Sequence, residues 1–382
     1  MNRIPSAVAL VAAAVAAAAL SGAAPAVAAA VPAPTVAATA IPATAPVTGG
    51  TLLGVAGTSA DDVWAVGSGT GGTLIVHWNG VRWGVVPSPS PGTGAAAHDV
   101  LFGVAAVSRT NAWAVGTYSS GPDPFDLTTF ALIEHWNGNR WTQVHCPCPH
   151  SDTGLPALAG IAAVSRSDIW AVGAGVSSPL IVHWNGRTWA TASLPGNEED
   201  QLTAVSATSG RNAWAVGLRV STDAGLTAHW NGRQWSWVSS PNPGHFNVLN
   251  AVAATSGSTA WAVGEDARRQ VKVLRWNGRT WSQVPGPQVT GVASAFNGIA
   301  AAPGGSLWAV GDRTIKRGIY YIDQTLTARW TGTKWVAVPS PSLASGSTLD
   351  AVFAVSQRNV WAVGGGAIIE HWNCRKWRLV AP

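Results

Sequence analysis

The densest cluster of reactive side chains in this 382-residue chain is His145-Cys146-Pro147-Cys148-Pro149-His150, four soft-metal ligands within six positions. Thiolates and imidazoles so close together are the donors of zinc sites, so a metal loop is the first chemistry to weigh. Corresponding stretches elsewhere in the chain read Pro87-Ser-Pro-Ser-Pro91 and Pro339-Ser-Pro-Ser342, so these cysteines stand where serines stand in other copies. Prolines between the donors also stiffen the loop against wrapping an ion. A disulfide or a plain loop is the stronger reading, and neither a metal nor a cofactor is expected.

A second candidate is histidine. His77, His135, His183, His229 and His371 each precede a tryptophan, and Arg275 and Arg329 take the same place in two further copies. Catalysis by such a histidine needs a partner that orients it. Glu134 and Glu370 lie beside it in only two copies, so packing is the better reading and no catalytic residue is expected. Two longer stretches are better placed for recognition. Thr117 to Thr129 carries Tyr118, Asp123, Phe125 and Asp126; Asp312 to Gln324 carries Lys316, Arg317, Tyr320, Tyr321 and Asp323. These hold all three tyrosines of the chain, and tyrosine with mixed charge is common at recognition surfaces. The nine residues are the expected ligand-binding set.

What positions them is a repeat. Trp-Ala-Val-Gly begins at Trp64, Trp113, Trp170, Trp214, Trp261, Trp308 and Trp361, and every copy contributes two more tryptophans, as at Trp184 and Trp189. Upstream lies a Leu-or-Phe, any, Gly-or-Ala, Val-or-Ile pattern, such as Leu101 to Val104. From its last residue to the first Trp is always nine positions, and from the second Trp to the third always five, whereas the gap between the first and second runs from 11 to 23. Periods of roughly 40–50 residues built from short strands mark propeller blades. The prediction is an all-β, seven-bladed β-propeller with four antiparallel strands per blade: A (Leu101 to Val107 in the second copy), B (Ala112 to Gly116), C (Phe130 to Trp136) and D (Trp141 to Val144).

Small residues in strand A place it innermost. A short polar residue two positions before each Trp-Ala-Val-Gly (Asp62, Asn111, Asp168, Asn212, Thr259, Ser306, Asn359) suits a tight A–B turn closed on its own backbone. Asn-Gly, as at Asn79-Gly80, suits the C–D turn. The A–B and C–D turns then share one face, and the B–C and D–A loops, which carry the length variation, share the other. Loops presented by a rigid scaffold carry function, so the B–C/D–A face is the expected binding face. Regularly placed tryptophans are read as core.

The repeat resembles that of kelch and galactose-oxidase-type propellers: Trp170-Ala-Val-Gly173, Trp184, Asn185-Gly186 and Trp189 match its glycine-ended strand, aromatic, turn and outer Trp over about residues 51 to 380. It also looks like the tectonin-type repeats of secreted lectins, which implies carbohydrate binding. The sets an enzyme of these folds would need are missing. No Ser-x-Asp-x-Gly-x-x-Trp box of the sialidases occurs, loop glutamates are limited to Glu198, Glu199 and Glu265, and no Tyr/His/Cys copper set falls in corresponding loops.

The first residues differ in kind. Asn2-Arg3, the apolar run Ala7 to Leu20 and the small-x-small Ala26-Val27-Ala28 predict a secretory signal peptide over 1–28. An Ala/Pro/Thr-rich linker over 29–49 follows, then the propeller over 50–382. No later stretch is long enough to span a bilayer. Only 11% of residues are charged and the net charge is +5, which argues against nucleic acid. The nearest thing to a basic cluster is Arg268, Arg269, Lys272, Arg275 and Arg279 in the fifth copy with Arg313, Lys316 and Arg317 in the sixth, and solvated blade edges explain most of these. Of three cysteines, Cys374 falls in a C–D turn on a blade not adjacent to Cys146 and Cys148, so it is expected to stay unpaired. The expectation is a secreted or cell-envelope-associated monomer that does no chemistry and binds a glycan or, alternatively, an extracellular protein.

Overall fold

The computed structural model describes residues 49–94, 97–123, 126–150, 157–196, 199–242 and 246–381. The expected signal peptide and all of the linker but Gly49 lie outside the described residues. Blade 1 comprises β1 (Thr51–Ser59), β2 (Asp62–Gly69), β3 (Gly72–Trp78) and β4 (Trp83–Val85); blade 2, β5 (Asp99–Ser108), β6 (Asn111–Ser120), β7 (Thr128–Trp136) and β8 (Trp141–Gln143). Blade 3 comprises β9 (Ala157–Ser165), β10 (Asp168–Ala174), β11 (Pro179–Trp184) and β12 (Trp189–Thr191); blade 4, β13 (Asp200–Ser209), β14 (Asn212–Arg219), β15 (Ala224–Trp230) and β16 (Trp235–Trp237). Blade 5 comprises β17 (Val248–Ser256), β18 (Thr259–Glu265), β19 (Val271–Trp276) and β20 (Trp281–Gln283); blade 6, β21 (Ala293–Ala301), β22 (Leu307–Arg317), β23 (Tyr320–Trp330) and β24 (Trp335–Val338). Blade 7 comprises β25 (Ala351–Ser356), β26 (Asn359–Gly364), β27 (Ile368–Trp372) and β28 (Trp377–Leu379). Each blade is an antiparallel sheet in simple sequence order, so the seven-bladed propeller is as predicted.

Strand B reads as a nearly continuous apolar run because both of its faces are covered. Val63 and Ala65 pack towards blade 7, while Trp64 and Val66 pack towards blade 2. Period-two alternation therefore separates two different neighbours rather than core from solvent. The glycine closing Trp-Ala-Val-Gly has a steric cause: a Cβ on Gly116 would run into the Val100 carbonyl, just where the β5–β6 register shifts between Leu101 and Gly103. In the innermost strands, a Cβ on Gly160 would come within 2.8 Å of Ala204 Cα, so adjacent blades meet backbone to backbone around the central channel.

The tryptophans close the joints. Trp64 meets Trp136 at 5.0 Å and Trp141 edge to face at 5.3 Å; Trp170 repeats this with Trp230 and Trp235, and Trp308 with Trp372 and Trp377. Trp361 completes the circle against Trp78 and Trp83 of blade 1. Blades 1 and 7 each keep four strands of their own. Among the described residues, side-chain packing and one isolated bridge, Thr51 to Gly365, join them.

Candidate functional site

The repeated histidine belongs to the blade joints. Its ring lies 4.1 to 4.4 Å from its own blade's strand-B tryptophan, as in His77 on Trp64 and His229 on Trp214. Its Nε2 donates across the sheet to the short polar residue before Trp-Ala-Val-Gly: His77 to Asp62 at 2.7 Å, His183 to Asp168 at 2.8 Å, His229 to Asn212 at 2.8 Å and His371 to Asn359 at 2.9 Å. One expectation is corrected here: the Asp or Asn does not chiefly serve its own turn but meets the histidine, as a carboxylate in two copies and an amide in three. The A–B turn is held by a serine at the end of strand A, such as Ser165 Oγ accepting from Ser167 N–H.

Where the polar residue is Thr259 or Ser306, an arginine replaces the histidine, and Arg275 and Arg329 lie 5.3 and 5.9 Å over Trp261 and Trp308. That covariation among the seven copies was visible in the sequence and would have identified the pair. Burial holds His135, His229 and His371 below the usual histidine range, so these three act as neutral plates in the core. Burial opposes the Asp62 carboxylate, but His77 and Thr58 outweigh it and keep its pKa below the usual value. The histidines are half-buried and structural, and the strand-B tryptophans are buried and structural. Trp64, Trp214, Trp308 and Trp361 are at most 2% exposed.

The B–C/D–A face is where the copies diverge. In blade 6 the expected loop does not exist: β22 and β23 stay paired as far as Arg317 and Tyr320, turning through Gly318-Ile319 with Gly318 at φ 64°. β-Branched and aromatic residues, Thr314-Ile315 against Tyr320-Tyr321-Ile322, favour continued pairing over a loop. Lys316, Arg317, Tyr320, Tyr321 and Asp323 therefore sit on a strand ribbon. The ribbon base is fixed by Val292 N–H to Thr314 O (2.8 Å), Ser347 N–H to Asp323 O (2.9 Å) and Thr314 Oγ1 to the Asp323 carboxylate (2.5 Å). Its tip is open: Ile319 is 79% exposed, Tyr320 69% and Tyr321 53%.

In blade 2 the strands also run past the expected limit, to the pair Ser120–Thr128, which moves Tyr118 from a loop onto β6. Tyr118 stacks on Phe130 at 4.8 Å, and His150 stacks on the same ring at 5.7 Å. With Gln143, His145 and Cys148 these rings line a cavity of about 490 Å³. Asp123 and Asp126 are exposed on the short remaining loop, and Phe125 lies outside the described residues. The expected set is thus divided between blades 2 and 6, three steps apart round the ring, and forms no single site. Phe130, Gln143, His145 and His150 join Tyr118 in ways no local pattern indicated.

Cys146 and Cys148 form a disulfide and Cys374 is free and exposed. Among the described residues no group of three His, Cys, Asp or Glu could hold a metal ion. Lys272 is fully buried, a correction to its reading as a solvated edge. Its Nζ donates to Pro241 O (2.8 Å), Asn247 Oδ1 (3.0 Å) and Asn242 Oδ1 (3.3 Å), and burial pulls its pKa down to about 8. Glu134 and Glu370 are also fully buried, with no hydrogen-bond partner on either carboxyl oxygen. Burial pushes both up to about 8, with Asp99 adding to the effect at Glu134.

No family model matches the chain, and no curated protein does. Solved structures match in fold. YCF48 bound to D1 peptide superposes with a TM-score of 0.53 at 15% identity, covering 85% of this chain and 94% of that one. YCF48 from Cyanidioschyzon merolae gives 0.54 at 12%, covering 86% and 97%. A chain of the mitotic checkpoint complex gives 0.53 at 12%, covering 91% and 99%. At these identities the likeness is one of fold, a seven-bladed propeller.

Proposed function

We propose that the chain is a non-enzymatic binding scaffold that docks a protein partner through its B–C/D–A face. The observation that carries this is the β22–β23 ribbon, a rigid element that holds Ile319, Tyr320 and Tyr321 in solvent beside Lys316 and Arg317. Exposed aromatic and aliphatic side chains next to arginine have the composition of interface anchors. YCF48 has been seen with a D1 peptide, which supports the reading to the extent that a fold of this outline can take such a ligand. A cavity with Tyr118, Phe130 and His150 rings and a polar Gln143 edge favours a second reading, carbohydrate binding at blade 2, because sugar faces stack on aromatic rings. Export to an oxidising compartment is supported by the Cys146–Cys148 bridge together with the pattern of residues 1–28.

The test presents the mature chain to a displayed random-peptide library and to a glycan array. Two variants run beside it, Ile319→Ser/Tyr320→Ser/Tyr321→Ser and Phe130→Ala. Peptides enriched on the parent and lost on the ribbon variant are the expected result. Glycan binding lost only in Phe130→Ala would replace the first reading with the second.

A further inference from the structure

The central channel shows a gradation that the repeat itself does not demand. The second residue of each strand-A pattern lines it: Leu53, Phe102 and Ala159 from blades 1 to 3, then Thr203, Asn250, Asn297 and Asp350 from blades 4 to 7. One arc is therefore apolar and the other polar, around a cavity of about 210 Å³.

On the polar arc the donors are already committed, mostly to the neighbouring blade. Thr203 Oγ1 donates to Leu249 O (2.8 Å), Asn250 Nδ2 to Phe296 O (3.0 Å) and Asn297 Nδ2 to Leu349 O (3.1 Å) and the Asp312 carboxylate (3.2 Å). Acceptors are left in excess. Asn250 is 6% exposed, yet its Oδ1 has no hydrogen-bond partner. Asp350 adds a carboxyl to the lining, and Asp312 stands close enough to raise its pKa. An orphaned buried acceptor destabilises the empty channel, so a ligand that brings donors there is favoured.

We propose that this channel is a binding site for a primary alkylammonium group, its N–H donors directed at Asn250 Oδ1 and the Asp350 carboxylate, with the negative charge of Asp312 behind them, and its apolar stem lying against Leu53 and Phe102. An ammonium has three donors and no acceptor, which matches a wall whose own donors are spent. The source is either a free amine or a lysine side chain inserted by a docked protein. The site stands whether or not the ribbon binds a partner.

Burial, with Asp312 adding its charge, pushes the Asp350 carboxyl up to about 7, opposed by a hydrogen bond from Gly365 N–H. Of the strands packed on β25, only β22 brings an ionisable side chain near it, Asp312. β1, β21 and β26 contain none. The cation binds the ionised carboxyl, so affinity rises with pH through 7.

The experiment is a ligand-observed NMR titration at pH 8 and pH 5.5 with n-butylammonium, n-butanol, tetramethylammonium, cadaverine, calcium chloride and a capped Gly-Gly-Lys-Gly-Gly peptide. Butylammonium should bind at pH 8 and at least about tenfold more weakly at pH 5.5. Butanol and tetramethylammonium should not compete. Asp350→Asn and Asp312→Asn, both isosteric, should each weaken binding at least about tenfold while the unliganded protein still melts cooperatively. Binding of the peptide would identify lysine as the source; binding of cadaverine alone would identify a free amine. Absence of binding at pH 8, binding unaltered in both variants, or displacement of butylammonium by tetramethylammonium would overturn the proposal. So would calcium binding where butylammonium does not.

Discussion

Single residues show where a copy has left the repeat. Glu134 and Glu370 occupy a strand-C position that holds Val76, Val182, Ala228, Leu274 and Ala328 in the other blades. An unfolded glutamate ionises near 4.5, whereas these keep their protons to about 8 because burial penalises the charge. The folded state is therefore undisturbed by them below pH 4.5 and progressively destabilised as pH rises from there through 8. Glu134→Val with Glu370→Val should raise the free energy of unfolding more at pH 8.5 than at pH 5, the difference being on the order of a few kcal/mol. Urea titrations at the two pH values measure this; equal gains at both would refute the ionisation argument. Cys374 is a second departure. It adopts φ 75° in a turn where Gly80, Gly138, Gly186, Gly232, Gly278 and Gly332 lie between 90° and 97°. Cys374→Gly should therefore stabilise by about 1 kcal/mol, read as a higher urea midpoint. Both departures could be found by stacking the seven copies against each other. The burial that makes the glutamates consequential could not, since Glu134 and Glu370 were legible only as neighbours of a histidine.

At the scale of elements, the invariant spacings were the reliable signal and the variable ones the misleading one. Nine positions from strand A to Trp and five between the second and third Trp leave room for a tight turn and nothing else, and both turns stand where the spacing put them. Variable gaps say only that the chain is longer. In blade 6 the extra residues became paired strand, because Lys316-Arg317 and Tyr320-Tyr321 alternate round a glycine turn; a long gap does not distinguish a ribbon from a loop. Lys272 was misread for a related reason. In strand C it holds the place of Leu74, Leu132, Leu180, Leu226, Leu326 and Ile368, and a lysine at an apolar position reads as surface unless its acceptors are known. They come from the loop before β17, at Pro241, Asn242 and Asn247. Lys272→Met keeps the apolar stem and removes the three donors. Amide exchange at Asn247 and Val248 should speed up by about tenfold or more while exchange in β19 changes little, since the cost of the lost bonds falls on the loop. Uniform acceleration across blade 5 would mean that Lys272 supports the sheet instead.

For the whole molecule the question is how a ring of seven similar joints holds when only six are spanned by the chain. Trp361 packs on Trp78 and Trp83 at 5.0 and 5.3 Å, much as Trp214 packs on Trp276 and Trp281 at 4.8 and 5.0 Å. Side-chain packing at the two joints is thus alike, and truncating either tryptophan to alanine should cost about 3–5 kcal/mol of global stability. Their local consequences should differ. Between blades 4 and 5 the connection from β16 to β17 keeps the separated faces close, so opening there gains little chain entropy. Between blades 7 and 1 no strand is shared among the described residues, and there the Thr51–Gly365 bridge and side-chain contact oppose parting. Sub-global opening should therefore begin at this seam. Hydrogen exchange in Trp361→Ala should be selectively fast in β1 and β26, whereas Trp214→Ala should show a smaller, less localised increase in β14 and β17, although both variants unfold at similar urea concentrations. Equal local protection in the two variants would mean that the seam is held as firmly as a connected joint. In that case the side chains of Leu52, Val63, Val363 and Ile369, which form the joint's apolar core, suffice without a covalent link.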